Sequence, residues 1–165
     1  MTNTEVIEKG LELAMRKISV RTSTALTQTA EEIVDRTDVP VWTYNLQDSI
    51  GCGTYRDSVL MTTAMNPQQA TEPRSGAKEF PLEQRYQTGS ERPIWDVDGI
   101  DEDKAYWGQD RLFFMLSHPP APVVANEGWA LAYVAAMPYA QVVDARTDIL
   151  EEELIVPTFL KYIRK

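Results

Sequence analysis

The chain has 165 residues, 43% hydrophobic and 25% charged, which provides for one ordinary core and a single domain, 1–165. Its net charge of −9 excludes binding to nucleic acid or an acidic membrane surface through bulk charge. One cysteine, Cys52, excludes an intrachain disulfide, the first ten residues lack the apolar core of a secretory signal, and no run nears the ~20 apolar residues of a membrane span. The expectation is a chain made and folded in a reducing cytoplasm.

Residues 4–38 read as a helix. Val6, Ile7, Leu11, Leu13, Ala14 and Ile18 lie near one stripe that Ala25, Leu26, Ala30, Ile33 and Val34 continue, and a core-facing role is the simplest for it. The middle, SVRTSTALTQT, is rich in β-branched residues and predicts a break or kink. Pro40 predicts the stop, because the residue before a proline avoids the helical region.

Ser49–Tyr55 and Ser58–Ala64 read as a hairpin turning near Arg56-Asp57. Gly51 and Gly53 share one face of its first strand and leave room for another element to approach closely. Residues 65–109 then change character. They hold four prolines, nine acidic and five basic residues and no steady period, and they read as a long irregular insertion or arm. Phe80, Tyr86, Trp95, Tyr106 and Trp107 argue against a plain disordered linker; such aromatics pack on the domain or on a partner.

DRLFFMLS, 110–117, reads as a third strand and GWALAYVAAM, 128–137, as a fourth. In the latter Trp129, Leu131, Tyr133, Ala135 and Met137 alternate with Ala130, Ala132, Val134 and Ala136. Both faces are apolar, which predicts a central strand whose small face takes a packed helix. Pro138 suits the first position of a short helix carrying Tyr139, Val142 and Val143. The end, VPTFLKYIRK, begins with Pro157 and is expected to leave the domain as an arm, residues 157–165.

Chemistry is sparse. The only histidine, His118, stands before Pro119-Pro120, far in sequence from Ser49 and Cys52, so no nucleophile–base pair is spelled out. No Gly-x-Ser-x-Gly elbow or phosphate-binding glycine loop is present. One cysteine and one histidine do not make a zinc site, and in DVDGIDED, 96–103, Gly99 stands fourth from Asp96 where a calcium loop needs its glycine sixth. The expectation is no catalytic, cofactor-binding or metal-binding residue.

The order of helix, YNLQDSIG, hairpin, insertion and GWALAYVAAMPYAQVVDAR resembles the tail-completion or head–tail connector (neck) proteins of tailed bacteriophages. In that family a Thr/Asn-Leu-x-x-Ser-Ile segment leaves the first helix, matched here by Asn45, Leu46, Ser49 and Ile50. A late strand then ends in Tyr-Ala, followed by Val and an acidic residue, matched by Tyr139, Ala140, Val143 and Asp144. The resemblance covers about residues 2–64 and 110–150.

It implies an α+β fold: a long N-terminal helix packed on a small antiparallel β-sheet, with the insertion and C-terminal arm added. It implies a non-enzymatic virion protein that forms a sixfold or twelvefold homo-oligomeric ring in the neck, joins the portal to other neck or tail proteins, and encloses DNA without binding it specifically. Candidate interface residues are Trp95, Trp107, Phe159 and Tyr162. The alternative from another class is a small-molecule or peptide binding module with its pocket under the 65–109 loop.

Overall fold

A computed structural model describes residues 3–37, 44–70, 107–119, 127–137, 140 and 152–164. The fold is α+β. Helix α1 spans Asn3–Arg36, strands β1 and β2 span Ile50–Arg56 and Val59–Met65, helix α2 spans Gly108–Ser117, strand β3 spans Trp129–Ala135, and helix α3 spans Ile155–Ile163. The three strands form one antiparallel sheet in the order β2-β1-β3.

The helix α1 is continuous through the β-branched stretch where a break is expected. Threonine hydroxyls there turn back onto their own helix: Thr24 Oγ1 donates to the Val20 carbonyl and Thr29 Oγ1 to the Ala25 carbonyl. Packing offsets the weak propensity, because Ala25, Leu26, Ala30, Ile33 and Val34 are buried. The helix ends at Arg36, and Thr37 closes it by donating its N–H to the Ile33 and Val34 carbonyls. Pro40 lies outside the described residues.

The stripe of α1 is core only in its second half. None of residues 4–24 is buried, and Val6, Ile7, Leu11, Leu13, Met15, Ile18 and Val20 are exposed. About 30 Å of helix, at 1.5 Å per residue, therefore carries large apolar side chains against nothing in the described structure.

The hairpin forms one residue later than its expected limits. Its two-residue turn is Asp57-Ser58, both with positive φ (51° and 65°), the geometry that follows the strand twist. Even-numbered residues of β1 face α1, where Cys52 joins Ala30, Ile33 and Val34. Odd-numbered residues face α2. A Cβ on Gly51 would lie 2.8 Å from Leu112 Cδ2, so glycine is what lets α2 sit this close.

Residues 110–117 are helical, which corrects the third strand. The apolar run DRLFFMLS is too short to tell strand from helix by pattern alone. Leu112, Met115 and Leu116, at helical spacing, enter one core cluster with Tyr55, Ala132, Val134 and Ala136. The small face of β3 does receive a packed helix, and that helix is α2.

Among the described residues β3 is an edge strand, not a central one, since it pairs only with β1. Its two apolar faces reflect a helix on each side of the sheet, α1 and α2, and carry no information about neighbours in the plane.

The C-terminal segment does not leave the domain. Pro157 sits in the first turn of α3, where its missing N–H has no intrahelical partner to lose. Helix α3 packs along α1 with Thr158 buried and Ile155, Phe159 and Tyr162 half-buried on the same side. Val156 and Leu160 remain exposed.

Candidate functional site

The segment Tyr44–Ser49 is a turn that buries three polar side chains, Asn45, Asp48 and Ser49, beside the apolar Leu46. The Asp48 N–H donates to the Tyr44 carbonyl and the Ser49 N–H to the Leu46 carbonyl, which winds the chain into one 3-10 turn before β1. Ser49 Oγ donates to the Leu46 carbonyl at 2.6 Å, so its hydroxyl is spent inside the turn. Asn45, Asp48 and Ser49 are fully buried, and each meets a backbone group from elsewhere. Asn45 Oδ1 accepts from the Gly108 N–H at the start of α2. The Asp48 carboxylate accepts from the Gln69 N–H at 3.0 Å and the Ala70 N–H at 2.7 Å. The Ser49 carbonyl accepts from the Ala136 N–H at 2.8 Å, just past β3.

This turn is a joint. Within the 65–109 insertion, Gln69 and Ala70, the last described residues before 71–106, hang on Asp48, and Gly108, just after 71–106, sits against Asn45. Buried backbone donors need partners, and a carboxylate that accepts two of them is a strong anchor. Beside the joint, Leu46 and Ile50 pack with Met137 and Ala140. Four of the family-motif residues, Asn45, Leu46, Ser49 and Ala140, are thus brought to one end of the sheet. Tyr139 and Val143 lie outside the described residues.

The interface candidates separate. Trp107 is half-buried and caps α2, its carbonyl accepting the Arg111 N–H. Phe159 and Tyr162 are half-buried on α3. Trp95 lies outside the described residues, as does the body of the insertion under which the binding-module alternative places its pocket.

Helices α1 and α3 are joined by an ionic hub. Glu32, whose side chain is 13% exposed, accepts from Lys161 Nζ at 2.7 Å and from the Tyr162 hydroxyl, and pairs with Arg36. The hydrogen bond from Lys161, then that from Tyr162, holds the Glu32 carboxyl well below its usual range, at about 2. The folded-state value is depressed, so the stabilisation is present above about pH 4.5 and is lost as pH falls toward 2. Lys161 and Tyr162 are both raised by the same contact, so the hub also weakens above about pH 10. Amide exchange in α3 should therefore speed up between pH 4.5 and 2, after correction for intrinsic rates. Glu32→Gln should remove most of that acid dependence while the sheet amides stay protected.

Chemically reactive side chains have structural settings. Cys52 is buried against α1, and burial pushes its thiol up to about 12, which leaves almost no thiolate near neutral pH. A thiol-specific reagent should label it only when denaturant unfolds the chain; labelling at the native rate of a free thiol would contradict this burial. His118 follows α2, stacks on Phe114 and lies with Nδ1 2.9 Å from the Phe114 carbonyl. Among the described residues no three His, Cys, Asp or Glu side chains are grouped to hold a metal ion.

No family model matches the chain, and no curated protein or solved structure shows significant similarity to it. The site stands on its own geometry.

Asp48 and Glu32 are not among the residues that the sequence pattern singles out. A signal for Asp48 was present: an acidic residue between Leu46 and Ile50, both apolar, has to be buried or to turn outward. For Glu32 the sequence offers only its i,i+4 spacing to Arg36, because Lys161 and Tyr162 lie about 130 residues away.

Proposed function

We propose that the chain is a structural virion protein of a tailed-bacteriophage neck, made in the bacterial cytoplasm, that assembles into a ring between portal and tail and encloses the DNA. The observation that carries this reading is the first half of α1, a rigid helix whose seven large apolar side chains are uncovered among the described residues. Such a surface exceeds what a free-standing soluble domain normally tolerates and marks an assembly site. Burying seven such side chains contributes at most ~10–20 kcal/mol, taking ~1.5–3 each. Association costs ~4–15 kcal/mol, so the helix supplies a gain of the same order as that cost.

Three further features support the reading. The described motif residues of the resemblance, Asn45, Leu46, Ser49, Ile50 and Ala140, lie at the joint that holds the two described ends of the insertion, which suits a scaffold that presents an arm. The net charge of −9 disfavours adhesion to a DNA backbone that must slide past. Among the described residues Cys52 is packed against α1 and the Ser49 hydroxyl is bonded inside its turn, as a structural role would use them. Portal, neck or tail proteins are the partners this role requires; no membrane is involved.

The test is to delete the gene and complement it with a tagged copy. Deletion should give DNA-filled heads without attached tails, and the tag should appear at the head–tail junction in electron micrographs. Normal tailed particles without the protein, or a tag elsewhere in the particle, would refute the neck assignment.

A further inference from the structure

The exposed half of α1 has two apolar stripes, not one. At about 100° per residue, Ile7, Leu11, Ala14, Met15 and Ile18 cluster along one line. Val6, Leu13 and Val20, seven residues apart, form a second line about 140° around the helix. Both lines are open to solvent among the described residues: Leu11 and Ile18 are 60% and 66% exposed, Leu13 and Val20 55% and 61%. One partner helix covers one stripe. Two stripes nearly opposite each other need two partners, one on each side.

The charges between the stripes are sorted in the same way. On one side of the helix Glu8 and Glu12 border the first stripe, while Lys9 and Arg16 border the second with one acidic residue, Glu5, between the two sets, and all five are exposed. When two parallel copies pack with the first stripe of one on the second stripe of the next, Glu8 and Glu12 of one copy run beside Lys9 and Arg16 of its neighbour. Opposite charges then line the seam: Glu8 lies within about 1.5 Å of the axial height of Lys9, while Glu12 is offset by about 4.5 Å from Lys9 and about 6 Å from Arg16. The far border brings Lys17 beside Arg21 of the neighbour at an offset of about 6 Å, one like-charge contact against these opposite-charge ones. Packing the first stripe on itself would leave the second bare.

We infer that the first half of α1 is a two-sided, head-to-tail self-assembly element, held between the same helices of two flanking copies of this chain. A heterologous contact of this kind repeats with a constant rotation and closes a ring when that rotation divides a full turn. The inference rests on the ring reading and specifies its contact. It concerns the purified chain alone, so it is separable from the neck assignment: helices that assemble in this way in a protein absent from the neck would refute only the assignment.

The experiment uses four full-length variants changed only at exposed positions, with circular dichroism to check that each keeps the wild-type melt. Leu11→Ser with Ile18→Ser removes the first stripe, and Leu13→Ser with Val20→Ser removes the second. Wild type should sediment as a large assembly, and each stripe variant should sediment as a monomer at tenfold higher concentration. An equimolar mixture of the two should give pairs and nothing larger, because one intact stripe remains on each. Glu8→Lys with Glu12→Lys, and separately Lys9→Glu with Arg16→Glu, should each weaken assembly, and mixing these two should restore it, since every seam then alternates sign correctly. The inference is overturned by a monomeric wild type, by either stripe variant assembling like wild type, by a stripe-variant mixture that forms no pairs or full-size assemblies, or by charge variants that fail to complement.

Discussion

Gly108→Ala should lower the stability of the folded chain by about 3 kcal/mol or more, at the top of the ~1–3 kcal/mol range of ordinary overpacking. The added Cβ would lie 2.0 Å from the Asn45 carbonyl oxygen and 3.0 Å from both Asn45 Oδ1 and the Ser49 nitrogen. The first of these is buried backbone, which has no rotamer to swing aside. Relief requires α2 to lift off the joint, and α2 carries Leu112, Met115 and Leu116 into the core that Tyr55 closes with its hydroxyl bonded to the Leu116 carbonyl at 2.7 Å. In a chain of this size, 3 kcal/mol corresponds to a melting midpoint about 6–12 °C lower. Gly10→Ala is the control: nothing lies within 4 Å of its Cβ position, and alanine favours a helix interior, so its midpoint should hold or rise. A Gly108→Ala protein that melts like wild type would mean that α2 does not start against Asn45.

Asp48→Ala should cost about 3–5 kcal/mol, because it removes two charge-assisted hydrogen bonds worth ~1.5–3 kcal/mol each and leaves the buried Ala70 N–H without its acceptor. Asp48→Asn keeps one acceptor oxygen but turns an NH2 group toward a backbone donor, so it should recover half of the loss or less. Hydrogen exchange localises the effect. The Gln69 and Ala70 amides should lose protection in both variants, while Gly51–Tyr55 in the central strand keep theirs at low denaturant. Equal protection of Gln69 and Ala70 in wild type and Asp48→Ala would remove Asp48 from its place as the anchor of the insertion.

The parts of the fold legible in the sequence are those written in local pattern. The long helix, the hairpin and the alternation of β3 all appear in their own residues, as does the closeness that Gly51 permits. What was misread depends on contacts across the chain. LFFMLS has no period long enough to separate a strand from a helix, and its helical state follows from the seat that Gly51, Val134 and Ala132 offer it. The double-sided apolarity of β3 predicts a central position, whereas the covering elements are helices. Pro157 predicts an exit from the domain, although in a first helical turn a proline is tolerated. The apolar stripe of α1 predicts core along its whole length, because periodicity records that a face will be covered and not by which chain. The joint was half legible: Asn45, Leu46 and Ser49 stood out by their resemblance to a family motif, while Asp48 acts through Gln69 and Ala70, which nothing in the sequence marks as its partners.

In the proposed ring, α1 is the assembly helix. The most direct measurement is imaging of the purified full-length chain, at a concentration where native mass spectrometry gives its oligomeric state. The expected result is one closed ring of fixed copy number, with an open centre wide enough for a DNA duplex and the first half of α1 held between two neighbouring subunits. A monodisperse monomer across the same concentrations, with Val6, Ile7, Leu11, Leu13, Ile18 and Val20 still exposed to solvent, would contradict it.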